Sequence, residues 1–425
     1  MHHVIVGSGP AGVVAAETLK THQKDARVTI LNNEDTPPYS RMAIPYYLID
    51  QIEENGTHLR KNKDHFSSIG IDLINGELSA IDLANKTLLL NESTNKSLQY
   101  DKLLLATGSS PNIPKIQGIE TEGVSSCWTL ADARYLLNKI KKGDDVVLMG
   151  AGFIGCIILE ALVKSGANLT VVEMEDRMVP RMMNDDAGGM IKDWCLSKGV
   201  IIHTGTRVEE IEKLDSGKLG LKLSDGKTLE ANLAVSATGV SPNTGFLKKE
   251  QLKVSQGILV NRSMQTSDPD VFAAGDVAEG LDFSTGEYSI QAIQPTAVDH
   301  ARVAAKNMIQ LGSVEHQGSI NMNVLDTLGL ISCSFGAWAG VKDGEQVSLI
   351  NKDRFKYFNL QFEDDLLVGA TSIGMTQHVG VLRGLIQSRI RLGDWKDRLL
   401  KDPTRLMEAY LSSTQALGFN SKVFA

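Results

Sequence analysis

The chain has 425 residues, of which 42% are hydrophobic and 22% charged, and its formal net charge is -8. This length allows two or three domains with separate cores, and the acidic balance argues against nucleic acid as a partner. No apolar run reaches the roughly 20 residues that a membrane-spanning helix needs, and the first residues lack the features of a secretory signal. The four cysteines, Cys127, Cys156, Cys195 and Cys333, are far apart, which predicts reduced, buried thiols in a cytoplasmic protein.

The chain begins with a predicted βαβ unit. An apolar run over 3–6 is followed by the turn GSGPAG at residues 7–12, a helix over about 10–20 and a strand over 27–31. Such a turn lets the backbone approach a pyrophosphate closely and directs a helix N-terminus at its charge. A buried-type strand over 102–106 comes later, and the linker that follows it predicts a crossing between domains.

The same plan recurs in the second third of the chain. A helix over 129–141 and a strand over 146–149 precede a second turn, GAGFIG at 150–155, which opens a helix over 153–165. A strand over 169–172 completes this unit. One glycine-rich turn is weak evidence, but two turns about one domain length apart predict two dinucleotides and electron transfer between them.

A second motif repeats with the turns. Thr-Gly-x-x-Pro-Asn follows a buried-type strand at 107–112 and again at 238–243, where a hairpin-like region over 207–231 precedes it. Farther along, residues 271–277 and a helix over 296–311 are predicted. The chain from about 318 is strand-rich, with strands over 321–330, 355–362 and 366–373 and helices over 377–391 and 403–414.

Acidic residues stand where each βαβ unit is expected to bind a ribose, about 20 residues beyond the glycines. Glu173 ends the strand of the second unit, and its carboxylate, with Glu175 and Asp176, would repel a 2′-phosphate. The second site is therefore predicted to prefer NADH to NADPH. In the first unit Glu34 lies at an acceptable distance, although the asparagines before it could share the role.

The order of these motifs resembles that of the FAD-dependent pyridine nucleotide-disulfide oxidoreductases, and the match covers nearly the whole chain. The resemblance implies an α/β fold of the glutathione-reductase type, with two Rossmann-like dinucleotide-binding domains and a C-terminal α+β domain. The FAD-binding domain would comprise 1–112 and 243–315, the NAD(P)H-binding domain 113–242, and an interface domain 316–425. The implied cofactor-binding residues are Gly7, Gly9, Pro10, Ala11, Gly12, Glu34, Arg41, Ala80, Ala106, Thr107, Gly108, Gly239, Gly275, Asp276, Pro295 and Thr296 and, around NADH, Gly150, Gly152, Phe153, Ile154, Gly155 and Glu173.

Within this superfamily, residues 37–47 are similar to NADH:rubredoxin reductases, the flavin module of nitrite reductases, and coenzyme A disulfide reductases or NADH oxidases. The last group carries a redox cysteine where this chain has Met42, and a thioether cannot form a thiolate or a mixed disulfide. Relatives also carry a glutamate where this chain has Ile157; Glu160, one turn later, could partly substitute for it or be a surface acid. No catalytic residue is assigned, and the spacing of the histidines predicts no metal site.

These features predict an FAD-dependent oxidoreductase that passes electrons from NADH through the flavin to a small redox protein such as a rubredoxin or ferredoxin. One alternative is an NADH oxidase or the flavin subunit of a larger reductase. Another is a non-catalytic regulatory protein that binds FAD and NADH, which the loss of the glutamate at Ile157 keeps open. The C-terminal domain could form a homodimer or meet a partner through a basic stretch between Arg389 and Lys401, although a solvated helix explains that stretch equally well.

Overall fold

The computed structural model describes residues 1–91 and 97–420, with side chains as far as residue 414. Before the first crossing the elements are β1 (His2–Val6), α1 (Pro10–His22), β2 (Arg27–Asn32), α2 (Ile44–Leu48), α3 (His65–Ser68), β3 (Ile71–Asn75), β4 (Leu78–Asp82), β5 (Thr87–Leu90), β6 (Ser97–Gln99), β7 (Lys102–Leu105) and β8 (Ser109–Pro111). The following segment contains β9 (Val124–Ser126), α4 (Leu130–Lys139), β10 (Asp145–Met149), α5 (Phe153–Lys164), β11 (Asn168–Val172), α6 (Asp185–Ser197), β12 (Ile201–His203), β13 (Val208–Lys213), β14 (Leu219–Leu223), β15 (Thr228–Ala231), β16 (Leu233–Ser236) and β17 (Val240–Pro242).

The rest of the chain adds a strand to the sheet that contains β1 and then forms a separate five-stranded sheet. Its elements are β18 (Ile258–Leu259), β19 (Val271–Ala273), β20 (Ala278–Leu281), β21 (Tyr288–Ser289), α7 (Gln294–Ile309), β22 (Met322–Thr327), β23 (Leu330–Gly336), β24 (Glu345–Asn351), β25 (Lys356–Glu363), β26 (Leu366–Ile373), α8 (Val379–Ser388), α9 (Asp394–Lys401) and α10 (Leu406–Asn420). The predicted elements are present with ends shifted by a few residues, and the strand predicted over 321–330 corresponds to β22. The elements that were not predicted include α6, α9, β12, β23 and β24.

Two five-stranded parallel sheets carry the glycine-rich turns. Their strand orders are β19-β7-β1-β2-β3 and β12-β11-β10-β16-β9. In each sheet the order reverses beside the strand that precedes the turn, so both turns lie at a topological switch point, where open α/β sheets bind ligands. The predicted α/β fold with two Rossmann-like units is confirmed.

Small side chains bring two helices of the first unit close together. Ala15 and Ala16 of α1 and Ala301, Ala304 and Ala305 of α7 are fully buried in one cluster, and the two helices pack against each other. This packing brings the N-terminus of α7 to the same edge of the sheet as the first glycine-rich turn.

The chain crosses between the two parallel-sheet units at a short antiparallel ribbon of β8 and β17. The repeated Thr-Gly-x-x-Pro-Asn motifs exchange equivalent bonds there: Asn243 N–H donates to the Gly108 carbonyl, and Asn112 N–H to the Gly239 carbonyl, both at 2.9 Å. The ribbon lies at the two predicted crossings, and the exact domain limits stay a prediction.

The C-terminal sheet is antiparallel, with the order β22-β23-β26-β25-β24. Apolar side chains on one face, including Phe335 and Leu360, form a cluster with residues of α8, α9 and α10. On the other face, Leu325, Tyr357 and Ile373 belong to the hydrophobic cluster of the second unit. Within the described residues, no helix is long and apolar enough to cross a membrane.

Candidate active site between the two glycine-rich turns

The first glycine-rich turn has a shape that only glycine permits. Gly7 has φ +111°, and a Cβ atom on it would overlap the carbonyl of Ala106; a Cβ on Gly12 would overlap the carbonyl of Gly7. The Ala106 N–H donates to the Val6 carbonyl at 2.8 Å, which holds the strand ends together. Helix α1 starts at Pro10 with no acidic residue in its first turn, so its N-terminus suits an anion.

The second turn repeats this geometry. Gly150 has φ +102°, and a Cβ on Gly150 would overlap Ala237 as one on Gly155 would overlap Gly150. The Ala237 N–H donates to the Met149 carbonyl at 2.8 Å, and α5 begins at Phe153, again with no acid in its first turn. The two turns therefore place two equivalent helix N-termini, each of which suits an anion.

A cleft with about 1320 Å³ of empty space, part of it open to solvent, lies between the turns. The predicted site residues that line it are Gly7, Gly9, Pro10, Ala11, Glu34, Arg41, Ala106, Thr107, Gly108, Phe153, Ile154, Gly275 and Asp276. The others lie outside this lining: Gly12, Ala80, Gly150, Gly152, Gly155, Glu173, Gly239, Pro295 and Thr296. Ala80 is part of β4, whereas Pro295 and Thr296 lie between two lining residues, Gln294 and Ala297. The assignment of each residue to a cofactor stays a prediction.

Asp276 is a half-buried acid that lines the cleft. Ser109 Oγ donates to its Oδ2 at 2.7 Å, and burial raises the pKa of its carboxyl above the ordinary value. A partly desolvated carboxylate suits a ligand that brings further hydroxyl donors, because these would stabilise its charge.

Glu34 makes different contacts from those of a free ribose-binding acid. Its Oε1 accepts from Arg41 Nη2 at 2.8 Å and its Oε2 accepts from the Tyr39 hydroxyl at 2.7 Å. Asn32, at the end of β2, takes the place that Glu173 has in the second unit, and it accepts from Ser8 Oγ at 2.7 Å. The two candidates for the ribose-binding residue of the first unit therefore make different contacts. Asn32 contacts the turn, and Glu34 orients Arg41.

Trp128 is a cleft residue that the sequence reasoning missed. The Arg41 guanidinium lies over its ring at 5.4 Å from the centroid, and its indole N–H donates to the Ser109 carbonyl at 3.0 Å. The Arg41 Nε atom is buried and has no hydrogen-bond partner among the described residues. Arg41 and Trp128 both line the cleft, and no local pattern around Trp128 signalled their contact.

Glu173 supports the second turn directly. Its Oε2 accepts from the Ala151 N–H at 2.5 Å and its Oε1 from the Glu175 N–H at 2.8 Å, and the side chain is buried. Glu175 and Asp176 are exposed nearby. The carboxylate is therefore placed beside the turn, and its role at a ribose stays a prediction.

Part of the cleft wall is apolar. Met42 contributes to it from the first unit, and Phe153, Ile154, Ile157 and Ile158 contribute from α5. Glu160 does not line the cleft; its carboxylate lies 2.6 Å from Lys164 Nζ, so the reading of Glu160 as a surface acid fits the structure better than the substitute role. The wall has no side chain that can exchange a proton with a reacting group.

The segment that carries Met42 is fixed to the second unit. Tyr39 and Ile44 are buried in the same hydrophobic cluster as Leu130 of α4. Arg134 of α4 donates twice to Glu54, at 2.8 and 2.6 Å. Met42 itself is 45% exposed. Its position is set by the buried residues on either side of it in the chain, Tyr39 and Ile44.

The cleft contains no reactive thiol. Each of the four cysteines is a free, buried thiol, as predicted. Cys127 lines the cleft, and burial raises its pKa to about 12, so it stays protonated at neutral pH and is a poor nucleophile. Among residues 1–91 and 97–420, no three His, Cys, Asp or Glu side chains are grouped to hold a metal ion.

These features fit a bound flavin dinucleotide. The space beside Gly9 is open to an approaching ligand, and Arg41 and Asp276 line the same cleft as the apolar side chains of Met42, Phe153 and Ile157. A family model described as pyridine nucleotide-disulphide oxidoreductase matches residues 1–306. The chain belongs to this family. The predicted family, the oxidoreductase class and the cofactors FAD and NAD(H) are thereby confirmed.

Proteins similar to this chain include a dehydrogenase subunit, a rubredoxin reductase and a ferredoxin reductase. The chain is 31% identical to the NADH-dependent phenylglyoxylate dehydrogenase subunit epsilon of Aromatoleum evansii, over 97% of each chain. It is 26% identical to the rubredoxin-NAD(+) reductase of Ectopseudomonas oleovorans, over 90% of this chain and 98% of that protein. A ferredoxin reductase structure from Rhodopseudomonas palustris matches with a TM-score of 0.81 and 27% identity, over 90% of this chain and 93% of the other.

Proposed function

We propose that the protein is an FAD-dependent NADH oxidoreductase that passes electrons singly to a redox-active protein. The observation that carries the proposal is the apolar wall between the two turns, with Met42 where a disulfide reductase needs a thiol. Because Cys127 is held protonated by burial, no side chain of the cleft can form a mixed disulfide with a substrate. The electrons must therefore leave without covalent chemistry on the protein.

The chain's residues bind and orient the two nucleotides. The α1 and α5 N-termini would hold the two pyrophosphates, the first that of FAD and the second that of NADH. Asp276 would accept from hydroxyl groups of FAD, and Arg41, which Glu34 and Trp128 orient, would contact FAD as well. When bound, FAD supplies the redox chemistry, since it can accept a hydride and release electrons one at a time.

The apolar wall would limit the access of water to bound nucleotides. Phe153 and Ile157 line the cleft, and their apolar side chains would displace water from a bound nicotinamide. Ile157 has no group that could hydrogen-bond to a nicotinamide amide. We expect NADH binding to depend strongly on the second turn and on Glu173.

A second candidate is a flavin subunit of a larger reductase, which a specific observation favours. The relative from Aromatoleum evansii that matches over 97% of both chains is named as a subunit. Both candidates require a protein acceptor and differ only in whether it dissociates. The basic stretch gives little help in choosing, because Arg391 lies 2.6 Å from Asp365 and Lys396 pairs with Glu345. A homodimer stays a prediction.

Stopped-flow reduction tests the proposal. Anaerobic NADH should bleach the flavin band faster than about one per second, oxygen consumption should be slow, and a rubredoxin or ferredoxin should accelerate NADH oxidation. Fast turnover with oxygen alone would favour the oxidase alternative, and bleaching slower than this would favour a regulatory protein. Met42→Cys is the matched variant: it should gain no disulfide reductase activity, because one thiol without a base is insufficient.

A further inference from the structure

Val179 has a backbone conformation that is rare for its side chain. Its φ is +45°, and the residue is 1% exposed. A β-branched side chain is strained in this left-handed region, and a residue before proline, here Pro180, favours an extended backbone. Strain of this kind persists only where the surrounding structure enforces it, and it is concentrated at binding sites.

The strained residue contacts the second glycine-rich turn. The Val179 N–H donates to the carbonyl of Ala151 at 2.8 Å. The Ala151 N–H in turn donates to Glu173 at 2.5 Å. Both backbone polar groups of Ala151, the central residue of the turn's first half, are thus fixed by protein, and this sets the direction in which the following N–H groups, at the start of α5, point.

The first turn has no equivalent support in the described part of the chain. Ser8 occupies the place of Ala151, and its contact is a side-chain bond from its hydroxyl to Asn32 at 2.7 Å. A prosthetic group that stays bound can keep its own turn ordered. A nucleotide that enters and leaves at every turnover needs a turn that is already shaped when the site is empty.

The segment around Val179 is anchored to the C-terminal sheet. Met178, Met182 and Met183 are buried in one cluster with Ile373 and Tyr357 of that sheet. Asn184 Nδ2 donates to the Tyr357 hydroxyl at 2.7 Å. The segment 178–184 therefore connects the second turn at one end with the C-terminal sheet at the other.

We infer that Val179 is a positioning residue for the pyridine nucleotide, held in its strained conformation by the contact of segment 178–184 with Tyr357. The C-terminal sheet in this way keeps the second turn ready to bind. The inference rests on the proposed function in one respect, that the second turn is the NADH site.

The test measures NAD⁺ binding to the oxidised holoenzyme by equilibrium titration. Tyr357→Phe removes the bond to Asn184, which should let Val179 relax and weaken NAD⁺ binding about fivefold, the effect of losing one hydrogen bond, with FAD content unchanged. Adding Val179→Gly to this variant should restore the affinity, because glycine adopts φ +45° without strain. A residue that only stabilises the fold would give no such rescue.

Two further variants complete the design. Asn184→Ser breaks the same bond from its other side and keeps a side chain that can cap α6, so it should reproduce the loss if Tyr357→Phe does not fold. Met264→Gly is the control: Met264 is also buried and left-handed, with φ +59°, but lies in the first unit and should leave NAD⁺ affinity unchanged. Unaltered affinity in both bond-breaking variants, or a loss that Val179→Gly does not rescue, would overturn the inference. Failure of the wild-type holoenzyme to bind NAD⁺ would instead overturn the proposed function.

Discussion

The same substitution in the two glycine-rich turns should separate the two nucleotide sites. Gly9 and Gly152 occupy equivalent places, with φ of -70° and -71°, which alanine adopts freely. Apart from atoms of the neighbouring residues in the chain, no heavy atom of the described residues lies within 4 Å of a Cβ built on either. Gly9→Ala and Gly152→Ala should therefore fold, with the added methyl group in the space that a pyrophosphate needs.

The expected size follows from the bonds that the methyl group displaces. A hydrogen bond from a backbone N–H to a charged phosphate contributes about 1.5–3 kcal/mol, so losing one weakens binding about 10- to 100-fold. The change at the helix N-cap costs about 1 kcal/mol or less, which lowers the melting temperature by at most about 4 °C. The effect on binding should thus greatly exceed the effect on stability.

Two titrations measure the outcome. FAD is added back to the apoprotein and followed by flavin absorbance, and NAD⁺ is titrated into the oxidised holoenzyme. Gly9→Ala should lose FAD affinity, and Gly152→Ala should keep FAD and lose NAD⁺ affinity. Gly7→Ala is the contrast, since its Cβ would overlap Ala106 at a left-handed φ and little folded protein is expected. Loss of FAD in Gly152→Ala with normal FAD binding in Gly9→Ala would refute the assignment of the sites.

Three other predictions concern single side chains. Glu173→Ala should raise the KM for NADH at least fivefold and reduce the preference over NADPH in steady-state assays, because the carboxylate fixes the Ala151 N–H; an unchanged preference would remove Glu173 from the ribose site. FAD added to the apoprotein should quench the fluorescence of Trp128, so Trp128→Phe should lose most of the quenching and Trp194→Phe should not; equal quenching in both would contradict the placement of Trp128 in the cleft. Burial lowers the pKa of His300 from 6.5 to about 3, so folding keeps it neutral where the unfolded chain binds a proton, and stability should fall by about 2 kcal/mol from pH 6.5 to 5. When the free energy of unfolding is measured in urea at both pH values, His300→Leu should lose this part of the pH dependence. A pH dependence identical to that of the wild type would contradict the prediction.

The sequence was sufficient for the features that depend on local pattern. The two glycine-rich turns predicted both parallel sheets and the position of the cleft, because a βαβ unit has a fixed geometry. Helix α6 was missed because Gly188 and Gly189 lower its helix propensity. Its start did carry a signal, since Asn184 accepts from the Ala187 N–H and two acids follow it.

Contacts between distant residues were beyond sequence reasoning. Trp128 is far along the chain from Arg41, and only the docking of the two units brings their side chains together. The ribose role of Glu34 stays a prediction, and the bonds that its oxygens accept from Arg41 and Tyr39 were not foreseen. The left-handed backbone of Val179 is imposed by tertiary packing against the local preference of valine.

The β8–β17 ribbon determines where the middle part of the chain can be exchanged for another sequence. The chain departs for its middle portion and comes back at neighbouring points, with Ser109 opposite Pro242. A short connector between those positions could therefore replace everything that intervenes without pulling the flanking strands out of register. The middle portion is in this sense an interchangeable insert, and a version from a relative with another coenzyme preference could be joined at the same two places.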